Sequence, residues 1–181
     1  MDDLSTTLAT IARKERELDD LRRSIASQRA PIQALSSVSI ALRCRLLGHD
    51  IALLVTEIEE VVRMAALTSL PESAPWLAGL LRVGQEQLPV LDLAARETGV
   101  RRALDPEHFI VLMRARGQKI ALLVDAIDSL VEVEAEKVHR PSADYPFGSY
   151  VFGVCSLPSG TTLLLSPTPL TASKLGFEAD R

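Results

Sequence analysis

The residues able to do chemistry are few and scattered along this 181-residue chain. His49, His108 and His139 could act in acid–base catalysis or bind a metal, but none has metal-ligand spacing from a cysteine or an acid. We therefore predict three surface histidines, no metal and no cofactor. Cys44 and Cys155 each lie in an apolar run, which predicts buried, reduced thiols rather than a disulfide.

Two aspartates remain as candidates for acid–base catalysis. Asp92 and Asp125 each follow a predicted strand and precede a predicted helical segment, so N-capping explains them better than catalysis. The sequence has no nucleophile-elbow pattern and no glycine-rich phosphate loop. These features predict a binding protein that is not an enzyme.

Composition favours protein partners. The chain is 47% apolar but only 4% aromatic, and its net charge of −4 comes from interspersed acids and bases. Nucleic-acid binders usually carry a basic stripe with aromatic residues, so no nucleic acid is predicted. The charged N-terminus does not resemble an export signal, and prolines and glycines interrupt the uncharged residues 145–173. We predict a cytoplasmic protein without direct membrane insertion.

Residues 1–30 are predicted to form an amphipathic helix, because they contain no glycine or proline and Pro31 would end it. Its predicted interface is an apolar line with two flanking leucines: Leu4, Ile11, Leu18 and Ile25, with Leu8 and Leu21 beside them. Glu15, Arg22 and Arg29 occupy the alternate heptad positions, which disfavours symmetric parallel pairing. Residues 2–29 could bind a partner helix, form a homo-oligomer, or pack on their own domain.

After a linker at residues 31–37, the apolar period changes to two, which predicts β-strands. Strands are predicted over residues 38–46, 51–55, 80–83, 88–91, 109–114, 119–124, 150–157 and 161–165. A capping box at Thr56 predicts a short helix over residues 56–63, and another helical turn is predicted at residues 73–76. The body is thus predicted to be mostly β over residues 38–173, with a C-terminal tail at 174–181.

One sequence pattern occurs twice. IALLVTEIEEVV begins at Ile51, and IALLVDAIDSLV begins at Ile120, each after a strand and a turn. The recurrence predicts two related sub-barrels built by one chain.

Residues 40–172 resemble the CheW family of bacterial chemotaxis coupling proteins and the matching regulatory domain of CheA histidine kinases. Four stretches carry the resemblance, in the family's order: IALRCRLLGHDIALLVTEIEEVVR, SLPESAPWLAGLLRVGQEQLPVLDLAAR, HFIVLMRARGQKIALLVDAIDSLVEV and YVFGVCSLPSGTTLLL. The resemblance implies two SH3-like five-stranded β-barrels. It also implies a non-enzymatic adaptor that links the cytoplasmic tips of chemoreceptors to a CheA-type histidine kinase in membrane-associated arrays.

The resemblance further implies partner-binding residues. Ile58 and Glu60 match helix positions that face a receptor groove between the barrels. Gly79 matches the first glycine of the family's Gly-x-x-Asn-x-Arg-Gly run, and we expect Gly79→Asp to disrupt binding more than folding.

The same run departs from the family at two positions. Arg82, also taken as a partner-binding residue, stands where the family has asparagine, and Gly84 replaces an arginine associated with receptor engagement. This departure favours an alternative, in which a divergent structural or antagonist protein joins the array or kinase without standard receptor coupling. Its helix would then recruit another partner.

Overall fold

The structure is a computed structural model that describes residues 35–115 and 117–166. The predicted helix over residues 1–30 and the tail at 174–181 lie outside the described residues. The predicted helix interface lies there too: Leu4, Leu8, Ile11, Leu18, Leu21 and Ile25.

The described residues form ten β-strands and one short α-helix. The strands are β1 (Val38–Leu46), β2 (His49–Leu54), β3 (Ile58–Arg63), β4 (Leu77–Val83), β5 (Glu86–Leu91), β6 (Phe109–Ala115), β7 (Gln118–Val124), β8 (Ala126–Glu134), β9 (Val151–Leu157) and β10 (Gly160–Leu165). The helix is α1 (Leu93–Thr98), and 3-10 turns lie at Val55–Glu57, Ala135–Lys137 and Gly148–Tyr150. The prediction of a mostly β body is confirmed.

The strands form two five-stranded sheets with the same internal order. Sheet A has the order β8-β1-β2-β10-β9, and sheet B has the order β3-β6-β7-β5-β4. If β1 to β5 are matched with β6 to β10, the two orders are identical. Each half places its first two strands in one sheet and its last three in the other, so neither sheet can form from one half alone. The predicted duplication is therefore confirmed, and each half contributes strands to both sheets.

The helix predicted over residues 56–63 is wrong. These residues form β3, which pairs antiparallel with β6, placing Ile58 opposite Met113 and Arg63 opposite Phe109. The Val55–Glu57 turn lacks a side-chain cap, so Thr56 does not open a helix. The segment after Asp125 is likewise strand β8, and the described residues include no helix at 73–76. Pairing with a distant strand outweighs a local helix-like pattern here.

The main apolar core lies between the sheets, and the repeated pentapeptide shows how it is built. In β2, Ile51 and Leu53 join the core shared by both sheets, whereas Ala52 faces a smaller cluster on the other side of sheet A. In β7, Ile120 and Leu122 join the shared core and the alternate residues face a cluster of sheet B. This alternation buries both faces of the central strands.

Both cysteines are buried free thiols, as predicted. Cys44 belongs to the shared core and Cys155 to the sheet A cluster. Burial, with a smaller effect of Asp128, raises the pKa of Cys44 to about 12, and burial also raises the pKa of Cys155. Neither thiol is activated as a nucleophile.

The closed barrels implied by the resemblance are not formed by the described residues. No ladder joins the first and last strands of either sheet order. In each sheet, a single β-bridge instead joins the segment that follows the first strand of the order to the last strand of the order. It joins Thr68 to Leu80 in sheet B and His139 to Val154 in sheet A.

Candidate partner-binding surface

The chain crosses between the sheets at two equivalent points, each directly after the repeated pentapeptide. The first crossover is the Val55–Glu57 turn between β2 and β3. The second is Asp125, between β7 and β8. Alignment of the repeats places Thr56 with Asp125 and Glu57 with Ala126.

The second crossover is held by an ion-pair network. Arg102 donates from Nε to Oδ2 of Asp92 at 2.7 Å and from Nη1 to Oδ1 of Asp125. The backbone N–H of Leu47, in the β1–β2 turn, donates to Oδ2 of Asp125 at 2.7 Å. Asp125 thus ties sheet B to sheet A and is not the predicted helix cap. Asp92 does cap α1, since its Oδ1 accepts a hydrogen bond from Ala95 N at 3.1 Å.

The first crossover contains a carboxyl group that the sequence interpretation missed. Oε2 of Glu57 is buried and has no hydrogen-bond partner among the described residues. Burial raises the pKa of this carboxyl to about 7. A partner donor that reached Glu57 would offset the cost of this desolvation. The signal in the sequence was the repeat itself, because Glu57 stands where the second copy has Ala126.

Ile58 and Glu60 lie on β3, the edge strand of sheet B, and project to different faces of it. A β-bulge between them places Ile58 opposite Met113 of the shared core and Glu60 opposite Leu112 of the sheet B cluster. Ile58 is half-buried against the shared core, and Glu60 is exposed. Only Glu60 of the pair presents an exposed side chain to a partner.

Gly79 and Arg82 lie on β4, the opposite edge strand of sheet B. Gly79 has φ +152°, and a Cβ there would lie 2.8 Å from the backbone oxygen of Thr68. The residue is buried, and a carboxylate cannot fit without moving the backbone. Gly79→Asp must therefore disturb folding, contrary to the expectation from the sequence. Arg82 is exposed, and its Nε donates to the carbonyl oxygen of Gly84 at 3.2 Å.

The four predicted partner-binding residues are thus divided between two edges. Ile58 and Glu60 lie on the first strand of the sheet B order, and Gly79 and Arg82 lie on the last. No hydrogen-bonded ladder connects these strands in the described part of the chain. Sheet B therefore presents these residues on two edge strands, which are connected through the Thr68–Leu80 bridge.

An aromatic cluster braces the sheets near the helix. The guanidinium carbon of Arg96, on α1, lies 5.3 Å from the ring centroid of Trp76 and 5.2 Å from that of Tyr150. The backbone N–H of Phe147 donates to Oε2 of Glu97 at 2.9 Å. These contacts join the helix that follows β5 to the segment that leads into β9.

The histidines do not form a site. His49 and His139 are exposed, as predicted, whereas the side chain of His108 is only 14% exposed and lies 3.9 Å from Asp125. Within residues 35–115 and 117–166, no group of histidines, cysteines and acids could hold a metal ion. The helices of this part of the chain are also too short and polar to cross a membrane.

Known proteins resemble this chain in sequence and in fold. The model of the CheW-like domain family matches residues 41–174. A probable chemotaxis protein CheW from Rhizobium etli is 31% identical over 84 residues, which are 45% of this chain and 53% of that protein. The chain thus spans about half the length of this curated relative.

The fold likeness covers most of both chains. The scaffolding protein TtCheW from Thermoanaerobacter tengcongensis superposes with a TM-score of 0.67, at 20% sequence identity. The match covers 76% of this chain and 90% of that protein. At this identity the likeness shows the fold alone.

Proposed function

The chain belongs to the CheW-like domain family, and on that premise we propose that it is an adaptor scaffolding a CheA-type histidine kinase with chemoreceptors in a signalling array. Members of this family are scaffold proteins without enzymatic activity. The observation that carries the proposal is the family match over residues 41–174, which spans strands of both sheets.

The geometry supports a binding role. Asp92 and Asp125, the aspartates best placed for acid–base chemistry, are both engaged by Arg102. An adaptor needs separate surfaces for separate partners, and the two edges of sheet B supply them. We assign Glu57, Ile58 and Glu60 to one partner-binding edge. The half-buried Ile58 would hold β3 in place by packing against the shared core.

The second proposed edge contains Gly79 and Arg82. Arg82 would contact the partner, whereas Gly79 would act by holding β4 close to the Thr68 segment. The turn after β4 contains Gly84, at φ +62° and without a side chain, where the family's arginine would stand. The alternative function rests on this turn: a divergent structural or antagonist protein would join the array or the kinase without standard receptor coupling.

We also propose the domain organisation expected from the sequence. Residues 38–173 would form the adaptor domain, joined by the linker at 31–37 to the helix at 1–30 and followed by the tail at 174–181. Residues 2–29 would provide contacts additional to those of the family, to a partner helix, to a second copy or to their own domain. The proposed location is cytoplasmic, at receptor arrays.

A three-component retention assay tests the proposal. A cytoplasmic chemoreceptor fragment is immobilised, and retention of the kinase is measured with and without the chain. The adaptor function predicts that the kinase is retained only when the chain is present. If the chain binds the kinase but does not retain it on the receptor, the antagonist alternative is correct. Binding to neither protein contradicts both functions.

Matched variants locate the surface. Glu60→Arg should weaken retention at least several-fold, because it reverses an exposed charge on the proposed edge. Asp144→Arg makes the same reversal at another exposed position and should leave retention unchanged. Equal effects of the two variants would contradict the assignment of the β3 edge.

A further inference from the structure

An exposed apolar strip lies on the outer part of sheet A. It consists of Val38, Ile40 and Leu130, which are 48%, 43% and 64% exposed. The β1–β8 register places Val38 opposite Glu134 and Ile40 opposite Glu132, and Leu130 opposite Leu42. Directly opposed residues share a face, so the strip and the two glutamates lie on one surface.

Part of the equivalent surface of sheet B is shielded by a side chain of the same sheet. Phe109 stands in the place of Ile40, and Arg63 stands in the place of Glu132. The guanidinium carbon of Arg63 lies 5.2 Å from the ring centroid of Phe109 and shields it. In sheet A the corresponding charge is reversed, so Glu132 would favour a basic residue supplied by another segment.

We propose that residues 18–29 of the same chain pack on this strip as a helix, with Leu18, Leu21 and Ile25 against the apolar residues. The described chain begins at Leu35, three residues before Val38, and Leu35 packs against the cluster on the opposite face of sheet A, so the linker would pass around the end of β1 to reach the strip. The linker can span at most about 3.3 Å per residue, so this segment is held near the strip. This proposal is independent of the adaptor function.

The lengths of the two apolar surfaces match. Residues 18 to 25 of a helix extend about 10 Å, at 1.5 Å per residue. From Val38 to Leu42, opposite Leu130, strand β1 extends about 13 Å at 3.3 Å per residue. About two turns of helix over residues 18–25 therefore suffice to cover the strip.

The charges also match. On a helical wheel with 3.6 residues per turn, Arg22 lies about 40° from Leu18 and about 60° from Ile25, and Arg29 lies about 20° and about 40° from them. The strip is flanked by two acids: Glu132, opposite Ile40, is exposed, and Glu134, opposite Val38, accepts from Lys137 Nζ at 2.7 Å. The arginines that disfavour parallel self-pairing are the bases that this acidic surface would attract.

One consequence concerns the remainder of the apolar line. Leu4, Leu8 and Ile11 extend beyond the strip and stay available for a partner helix or a second copy. Residues 18–29 would thus be docked on sheet A, and the residues before them would remain available for another helix.

Disulfide cross-linking of the full-length chain tests the proposal. Ile25→Cys and Leu130→Cys are combined, and oxidation is performed at low micromolar concentration. The native thiols are 0% and 2% exposed, so they do not compete. We expect an intramolecular disulfide in a species of monomer mass, measured by intact mass spectrometry, in most of the protein.

The matched control pairs Ile25→Cys with Val61→Cys, the equivalent position of sheet B, which is 38% exposed. Its cross-linking should be at least tenfold lower, and circular dichroism checks that both double variants fold. Equal yields in the two variants, or no disulfide between positions 25 and 130, would overturn the proposal. Disulfides found only in covalent dimers would also overturn it and would assign the strip to a second copy.

Discussion

Gly79 and Gly153 occupy the same place in the two sheets. Gly79 precedes Leu80, which bridges to Thr68, and Gly153 precedes Val154, which bridges to His139. A Cβ would lie 2.8 Å from Thr68 O at the first position and 2.5 Å from Val138 Cγ1 at the second. In both sheets a glycine therefore permits the contact that brings one edge toward the other.

Gly79→Ala should lower the free energy of unfolding by about 3 kcal/mol, because its methyl group would meet a backbone oxygen and its φ is positive. Urea denaturation followed by circular dichroism measures the change. Gly84→Ala is the control, since its φ is also positive but its Cβ meets nothing within 4 Å. It should cost about 1 kcal/mol, and equal losses would show that the close approach to Thr68 is not costly.

Arg102→Met should destabilise the fold by roughly 2–3 kcal/mol, because it leaves Asp92 and Asp125 without their shared cation. Lys119→Met removes the partner of exposed Glu86 and should cost much less, because solvent screens this surface pair. Thermal unfolding of both variants compares the two ion pairs. A smaller loss for Arg102→Met than for Lys119→Met would contradict the role of Arg102 in joining the sheets.

The raised pKa of Glu57 predicts that the stability of the fold depends on pH. Its pKa is raised from 4.5 to about 7, so the folded state holds the proton more tightly than the unfolded state does. The favourable contribution is complete below pH 4.5 and is lost as the pH rises through about 7.

Comparison with Glu57→Gln isolates this effect from other carboxyl groups. Relative to the variant, the wild type should lose about 1–2 kcal/mol between pH 4.5 and pH 8, allowing for solvent screening of a half-buried group. Parallel unfolding curves for the wild type and Glu57→Gln across this range would show that the pKa of Glu57 is not raised.

The turn between β4 and β5 predicts a gain of function. Gly84→Arg with Gln85→Gly restores the family's order, and a Cβ at position 84 has no neighbour within 4 Å. The double variant should bind a chemoreceptor fragment at least fivefold more tightly and bind the kinase unchanged, as measured by biolayer interferometry. Unchanged receptor affinity in a folded variant would show that the missing arginine does not limit receptor binding.

The sequence predicted the strands whose patterns are local and missed those that depend on distant partners. In β2 and β7, the apolar residues that pack on both faces of the strand lie together in the repeated pentapeptide. In β3 and β8, acidic and apolar residues mimic the start of a helix, and only pairing with β6 and β1 makes them strands. The family resemblance implied the number of strands in each sheet but not their open edges.

The candidate site was less predictable for a similar reason. The role of Asp125 depends on Arg102, a residue that the sequence interpretation did not connect with it. The importance of Glu57 depends on burial at a crossover that had been assigned to a helix. The opposite faces of Ile58 and Glu60 result from a bulge, which no local pattern indicated.

The most direct test of the adaptor function is equilibrium binding of the purified full-length chain to the regulatory domain of its CheA-type kinase. Isothermal titration calorimetry should give a saturable complex, with Glu60→Arg and Asp144→Arg titrated alongside to separate the kinase surface from the receptor surface. We expect one kinase domain to bind per chain, with the affinity of Asp144→Arg unchanged. A folded chain that shows no binding to this domain at tens of micromolar would contradict the adaptor function.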